Sequence, residues 1–499
     1  MSKLTIREVC AGALSLVGLL LLAAPAAAET VVLKGATIVF SDGKTPLKGG
    51  VILIEDGKIK AVGKLKGRNP IKIPYDAKVI NVEGKTVFPG MVLAHTSQGL
   101  DRPNESVPVG PYLDVFDSID PSKLFFESSL RDGVTSIHVI QGNDCLVAGL
   151  GRVVRPFGMT VDAMTSRAAS AIKISVAGKR GYDRVRQRAN LRAVFDDLED
   201  YLEGLAEKRY AETEKEAERE VTVSPAKARE LGKKLISDKD LDDKHRNLYR
   251  LVNGRLDAYV YVDRAQDAIF AVELAKAHGF LKRTTFVLGV ETFKAVKVFQ
   301  AAKRPVILSS SLDYRETDRL TGEETKTFVP KVFADAKVRF ALLPGTQATS
   351  RWLWYQAARC VSEGISRGQA LSAITSTPAE LCGLGKRAGR IRAGYDADLL
   401  VLSGDPLELT TQVEQVLVEG RVVYDRSKDW RLRKLTSGVS KGDKKADGKK
   451  ADGKKADGKK ADGKKADGKK ADGKKADGKK ADGKKADGKG KPKKNEGGK

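Results

Sequence analysis

Few side chains in this sequence could carry polar chemistry, and they are scattered. Its four histidines, His95, His138, His245 and His278, lie far apart along 499 residues. Cys145, Cys360 and Cys382 form an odd, widely spaced set once Cys10 is assigned to an N-terminal leader. There is no Cys-x-x-Cys pair and no Cys/His cluster, which argues against a structural zinc site. At most one disulfide is possible, and three buried thiols are the expectation. No Ser/His/Asp arrangement is apparent. His138 falls in an apolar run and His245 in a charged stretch. His278 stands before Gly279, where a cation would complement a helix dipole. These three read as structural, which leaves His95, at the end of the apolar run 86–95, as the histidine to watch.

The surrounding pattern says what must position such residues. Residues 31–40 and 51–54 are rich in β-branched side chains, and Glu55-Asp56-Gly57-Lys58 supplies a hairpin turn before residues 59–62. The same texture returns at residues 398–402 and 413–424, with a turn at Glu419-Gly420, so both ends are expected to build one composite β domain. Between them, apolar runs at 86–95, 134–140, 258–262, 285–290, 305–309 and 338–343 alternate with helical stretches such as 266–278. Repeated β then α predicts a parallel sheet, and the length suits a (β/α)8 barrel. Residues 182–250 interrupt the rhythm with dense charge; Leu198, Leu202 and Leu205 are spaced for one helix face, so a helical insertion is expected.

The two termini differ in kind from this body. Lys3 and Arg7, an apolar run over 9–22 and Ala26-Ala27-Ala28 read as a secretory signal, giving a mature start near Glu29 and a secreted or periplasmic location, with no membrane span remaining. Residues 444–488 repeat Lys-Lys-Ala-Asp-Gly nine times. With nothing larger than Ala to bury, this tail is expected to be disordered. From Lys441 onward there are 24 lysines against 11 acidic residues, a net +13 of the chain's +25. The folded body is therefore only mildly basic, which speaks against a specific nucleic-acid partner, while the tail could adhere weakly to polyanions or anionic surfaces.

Several motifs together resemble the amidohydrolase superfamily, in its imidazolonepropionase-like branch. Lys85-Thr86-Val87-Phe88-Pro89-Gly90-Met91-Val92 resembles the family's entry into the first barrel strand, and Gly133-Val134-Thr135 its second strand. Thr377-Pro378-Ala379-Glu380 resembles the last barrel helix. Gly389-Arg390-Ile391-Arg392-Ala393-Gly394-Tyr395-Asp396-Ala397-Asp398-Leu399, then Gly404-Asp405-Pro406, resembles the return into the β domain. The resemblance implies an α/β chain: a (β/α)8 TIM-like barrel over residues 86–388, with the charged insertion at about 182–250, and a small composite β-sandwich from residues 29–85 and 389–430. Residues 1–28 are then the signal and 431–499 the disordered tail.

The family hydrolyses carbon–nitrogen bonds other than peptide bonds, using zinc or another divalent metal at the C-terminal ends of the barrel strands. This sequence departs from that ligand pattern. Where the first strand should end in Asp-x-His-x-His it has Leu93-Ala94-His95-Thr96-Ser97. Ile172-Lys173 is followed by Ala177-Gly178, without the branch's Glu. Tyr261-Val262-Asp263 precedes Arg264 where His-Ala-His is common, Leu288 precedes Gly289-Val290-Glu291 where a His is expected, and Leu343-Pro344-Gly345, followed by Thr346-Gln347, replaces Gly-Thr-Asp. His95 is the one retained ligand position, so no catalytic residue and no resident cofactor is expected. Three functions compete: a non-catalytic ligand-binding member, self-associating or paired with an active paralogue; an active hydrolase with an atypical site, metal-free or holding one metal on His95, Asp263 and waters; and a surface-adhering protein acting through its tail.

Overall fold

A computed structural model describes residues 29–219, 223–345 and 350–437. The leader and the repeat tail lie outside them. Twenty strands run in chain order: β1 Val31–Ile38, β2 Leu47–Glu55, β3 Lys58–Gly63, β4 Lys78–Asn81, β5 Thr86–Pro89, β6 Met91–Thr96, β7 Val134–Val139, β8 Val147–Leu150, β9 Arg152–Val154, β10 Thr165–Arg167, β11 Ala171–Ser175, β12 Asp257–Val262, β13 Thr284–Leu288, β14 Val306–Ile307, β15 Asp313–Thr317, β16 Glu324–Phe328, β17 Phe340–Ala341, β18 Leu399–Leu402, β19 Val413–Val418 and β20 Arg421–Asp425.

Strands from both chain ends join in one sheet, in the order β20-β19-β18-β5-β1-β2-β3, with β4 also on β1. The expected sandwich is thus one mixed eight-stranded sheet, because β1 pairs antiparallel with β2 along one edge and parallel with β4 and then β5 along the other. Its two hairpins turn at Asp56-Gly57 (φ +50° and +74°) and Glu419-Gly420 (φ +48° and +75°). Two consecutive positive φ values are what a two-residue turn needs to match strand twist, and glycine adopts them at no steric cost. Leu399 and Val401 of β18 pack inside the sheet's own core. Leu400 and Leu402 face the other way, onto Leu130, Leu371 and Phe88. That alternation fastens the sheet to the helices of the central body.

The central body is α/β. Strands β11, β12, β13, β14 and β17 are parallel neighbours, and β6 pairs parallel with β7. The β8–β9 segment belongs to both groups and joins them through Gly151, whose N–H donates to Ala171 O at 2.8 Å. The backbone of Ala373-Ile374 bridges β17 and β6: Leu342 N–H donates to Ala373 O and Val92 N–H to Ile374 O, both at 3.0 Å. Val92, Ala94, Ala171, Tyr259, Val287, Ile307 and Ala341 fill the space the strands enclose. Leu93, Ile172, Ile174, Val260 and Leu288 pack under the surrounding helices instead. This two-layer division is that of a TIM-barrel-like fold.

The charged stretch is helical: α1 (Leu124–Arg131) precedes it, and α2 (Arg184–Glu216), α3 (Pro225–Gly232) and α4 (Asp243–Val252) form it. Asp183 caps α2 by accepting from Arg186 N–H at 2.7 Å. Gln187, Leu191, Phe195 and Leu198 share the buried face. The next helix, α5 (Ala268–Ala277), meets α2 through Asp267, whose fully buried carboxylate accepts from Arg184 Nε at 2.7 Å and from Arg188 at 2.9 Å. The three cysteines are free and buried. Among the described residues no helix is long and apolar enough to cross a membrane.

Candidate functional site

A cavity of about 320 Å³ opens at the C-terminal ends of the barrel strands. Thr96, Ser97 and Gln98 reach it from the end of β6, Asn143 from the loop before β8, Tyr261 from β12, Gly289 from β13, Ser309 and Ser310 from the loop after β14, and Pro344 and Gly345 from the loop after β17. His95 lines it too. The β6–β7 ladder is irregular between Leu93 and Thr96, and His95 is presented to the cleft from that stretch. No charged side chain is among the described residues lining the cavity.

Behind His95 stands Lys173, on β11. Strand alternation turns Ile172 and Ile174 toward the helices and Lys173 toward the barrel axis. The lysine is fully buried. Its Nζ lies 2.8 Å from His95 Nε2 and 2.7 Å from Asn143 Oδ1, with the Tyr261 ring centroid at 5.7 Å. No carboxylate pairs with it among the described residues. Burial therefore pushes its pKa down to about 7, and the same burial, with Lys173 second, drives that of His95 well below the usual imidazole range. Both groups are held toward their neutral forms. A neutral amine has two N–H donors, and the two acceptors present, His95 Nε2 and Asn143 Oδ1, take both.

Lys173 entered the sequence reading only as part of the Ile172-Lys173 segment, with no site role. The signal available was a lysine flanked by isoleucines in a short apolar run, an anomaly in a strand buried on both faces. His138 is satisfied and buried: Nδ1 donates to Ala94 O at 3.0 Å, leaving Nε2 to accept from Ser170 Oγ at 2.8 Å. This Ser–His pair has no acid partner and does not line the cleft. His245 stacks on Tyr201 and bonds Asp242 and Asp197. His278 departs from the expected role of a cation at a helix end. It stacks on Phe195, and partial burial lowers its pKa, so it is held toward the neutral form.

The ligand positions can now be tested against the geometry a divalent metal requires. His95 offers Nε2 to Lys173, so a metal on that nitrogen would have to displace the amine. Leu93 and Leu288 belong to the outer core layer and also border the cavity, and neither they nor their neighbours Val92, Ala94, Val287 and Gly289 carry a donor side chain. Gly289 has no room for one, since a Cβ there would collide with the Asp263 carbonyl. Tyr261 donates its hydroxyl to Asp263 Oδ1 at 2.7 Å; Ser97 and Gly345 line the cavity, one with a hydroxyl and the other with no side chain. Thr346 and Gln347 lie outside the described residues. Among those described, no three His, Cys, Asp or Glu side chains converge, and the donor set does not fit a hydrolytic metal centre.

Comparison with known proteins points one way. Residues 343–424 match the model of the "Amidohydrolase family". The chain is similar to amidohydrolase tasK of Hapsidospora irregularis, 37% identical over 70 residues, 14% of this chain and 7% of that protein. It is also similar to the N-substituted formamide deformylase of Arthrobacter pascens, 32% identical over 123 residues, 21% of this chain and 23% of that one. The match thus spans less than a quarter of either curated relative. A solved amidohydrolase from Thermotoga maritima MSB8 superposes with TM-score 0.64 at 25% identity, covering 79% of this chain and all of that one. Motif, family model and fold agree: the chain is similar to amidohydrolases in sequence over residues 343–424 and in fold over 79% of its length.

Proposed function

We propose that this chain is an exported, non-hydrolytic member of the superfamily whose barrel cleft serves to bind a small polar ligand. The observation that carries the reading is the Lys173–His95 contact: the one retained ligand histidine gives its Nε2 to a buried amine at 2.8 Å. Hydrolysis of an unactivated amide needs an activated water and a group to accept its proton. Here His95 is occupied by Lys173 and Asp263 by the Tyr261 hydroxyl. The cavity lining is uncharged and rich in hydroxyl and amide groups, which favours a neutral ligand with several hydrogen-bonding atoms. The test is turnover. Full-length protein supplied with Zn²⁺, Mn²⁺ or Fe²⁺ is expected to leave cyclic amides, ureas and N-formyl amines unhydrolysed. Hydrolysis abolished both by chelator and by His95→Ala would overturn the reading.

A further inference from the structure

The geometry points to a second binding site, for a tetrahedral dianion such as phosphate, sulfate or their monoesters, at the end of the barrel opposite the cleft. It does not rest on the reading of the cleft given above. A cavity of about 390 Å³ lies at the N-terminal end of β17. Lys337 and Arg339 line it from the approach to that strand, Gln369 from the segment after the barrel, and Ser376, Thr377 and Arg390 from the chain's return toward the β domain. Its charge does not balance. Arg339 and Arg390 share one carboxylate, Glu380, whose Oε2 accepts from the first and Oε1 from the second. Lys337 has no ion pair among the described residues. Asp42 also lines the cavity, but Lys44 answers it at 2.8 Å. Three cations against the single Glu380 carboxylate leave two positive charges around the space.

The second observation is independent of charge. Ser376 is 2% exposed and Thr377 5%. Both line the cavity, and neither hydroxyl meets a partner among the described residues. A buried hydroxyl left unpaired costs free energy, and anionic oxygens would accept from both. Gln369 adds an amide: its Oε1 accepts from the Ser366 hydroxyl at 2.7 Å, which leaves its N–H groups to donate. Donors thus reach the space from several segments of chain, an arrangement suited to the oxygens of a tetrahedral anion rather than to one flat carboxylate. Main chain closes the wall beside Asp42, where a Cβ on Gly368 would stand 2.9 Å from Gly43 Cα.

The experiment is equilibrium dialysis of the full chain against inorganic phosphate, inorganic sulfate, glycerol phosphate and succinate, in about 0.15 M NaCl to screen attraction to the lysine-rich tail. Saturable binding of one equivalent of phosphate, sulfate or glycerol phosphate is expected, tighter than succinate. Tighter binding of glycerol phosphate than of inorganic phosphate marks an ester as the ligand, and the reverse order marks the free oxyanion. Thr377→Val and Lys337→Gln are each expected to weaken binding about tenfold, the scale of one hydrogen bond to a charged group. Lys331→Gln, at a lysine outside the cavity that pairs with Asp335, should leave it unchanged. Hydrogen exchange of the wild type, which no folding defect can confuse, should slow at residues 337–339 and 376–377 when the anion is present. Absence of saturable binding, preference for succinate, or binding that slows exchange at neither segment overturns the inference.

Discussion

An ammonium group in a dry interior is expensive, and a chain that keeps one there either pairs it with an acid or lets it shed its proton. Lys173 takes the second course, with a pKa pushed down to about 7 by burial. This sets a sign for stability. The unfolded lysine holds its proton to about pH 10.4. Below pH 7 both states are protonated and the folded protein bears the full burial cost; as pH rises above 7 only the folded state loses the proton, and the cost is relieved. Wild type is therefore expected to gain roughly 2–3 kcal/mol more stability than Lys173→Met between pH 6.5 and 9. Urea unfolding at the two pH values measures it, and an identical gain in both proteins would contradict a neutral Lys173. Residue identity made His95 legible from sequence, because its motif is local. The Lys173 partnership was not, since it joins positions 78 residues apart that only barrel closure brings together.

The elements that were readable are those whose period is written locally. The hairpins at Asp56-Gly57 and Glu419-Gly420 were found from their turn residues. The parallel strands were found from apolar runs, although β11, broken by its central lysine, was not among them. Leu198, Leu202 and Leu205 gave the charged helix a face, but nothing in that pattern says what holds α2 to the barrel. The holding group is Asp267, buried between Arg184 and Arg188. Asp267→Ala is expected to cost about 2 kcal/mol by removing charged hydrogen bonds from two partly buried arginines. Hydrogen exchange should also speed up over residues 184–198. Unchanged stability and protection would show that apolar packing of Leu191 and Phe195 alone holds the helix.

At the scale of the whole molecule, the composition of the two ends carries two proposals, export and electrostatic adhesion. N-terminal sequencing of exported protein is expected to start near Glu29; a chain retaining residues 9–22 would contradict export. Retention on a cation-exchange resin is expected to fall with salt and to drop on deletion of residues 441–499, because salt screens the attraction between a lysine-rich segment and an anionic surface. Salt-insensitive retention would remove the tail from the account. The body has an amidohydrolase-like fold, and the proposal that it no longer hydrolyses turns on whether His95 belongs to Lys173 or to a metal. Elemental analysis of full-length protein expressed with added Zn²⁺, Mn²⁺ and Fe²⁺ decides it. The account predicts less than about one tenth of an equivalent of tightly bound metal, since a single histidine does not make a site. Near-stoichiometric metal, lost on His95→Ala, would contradict it.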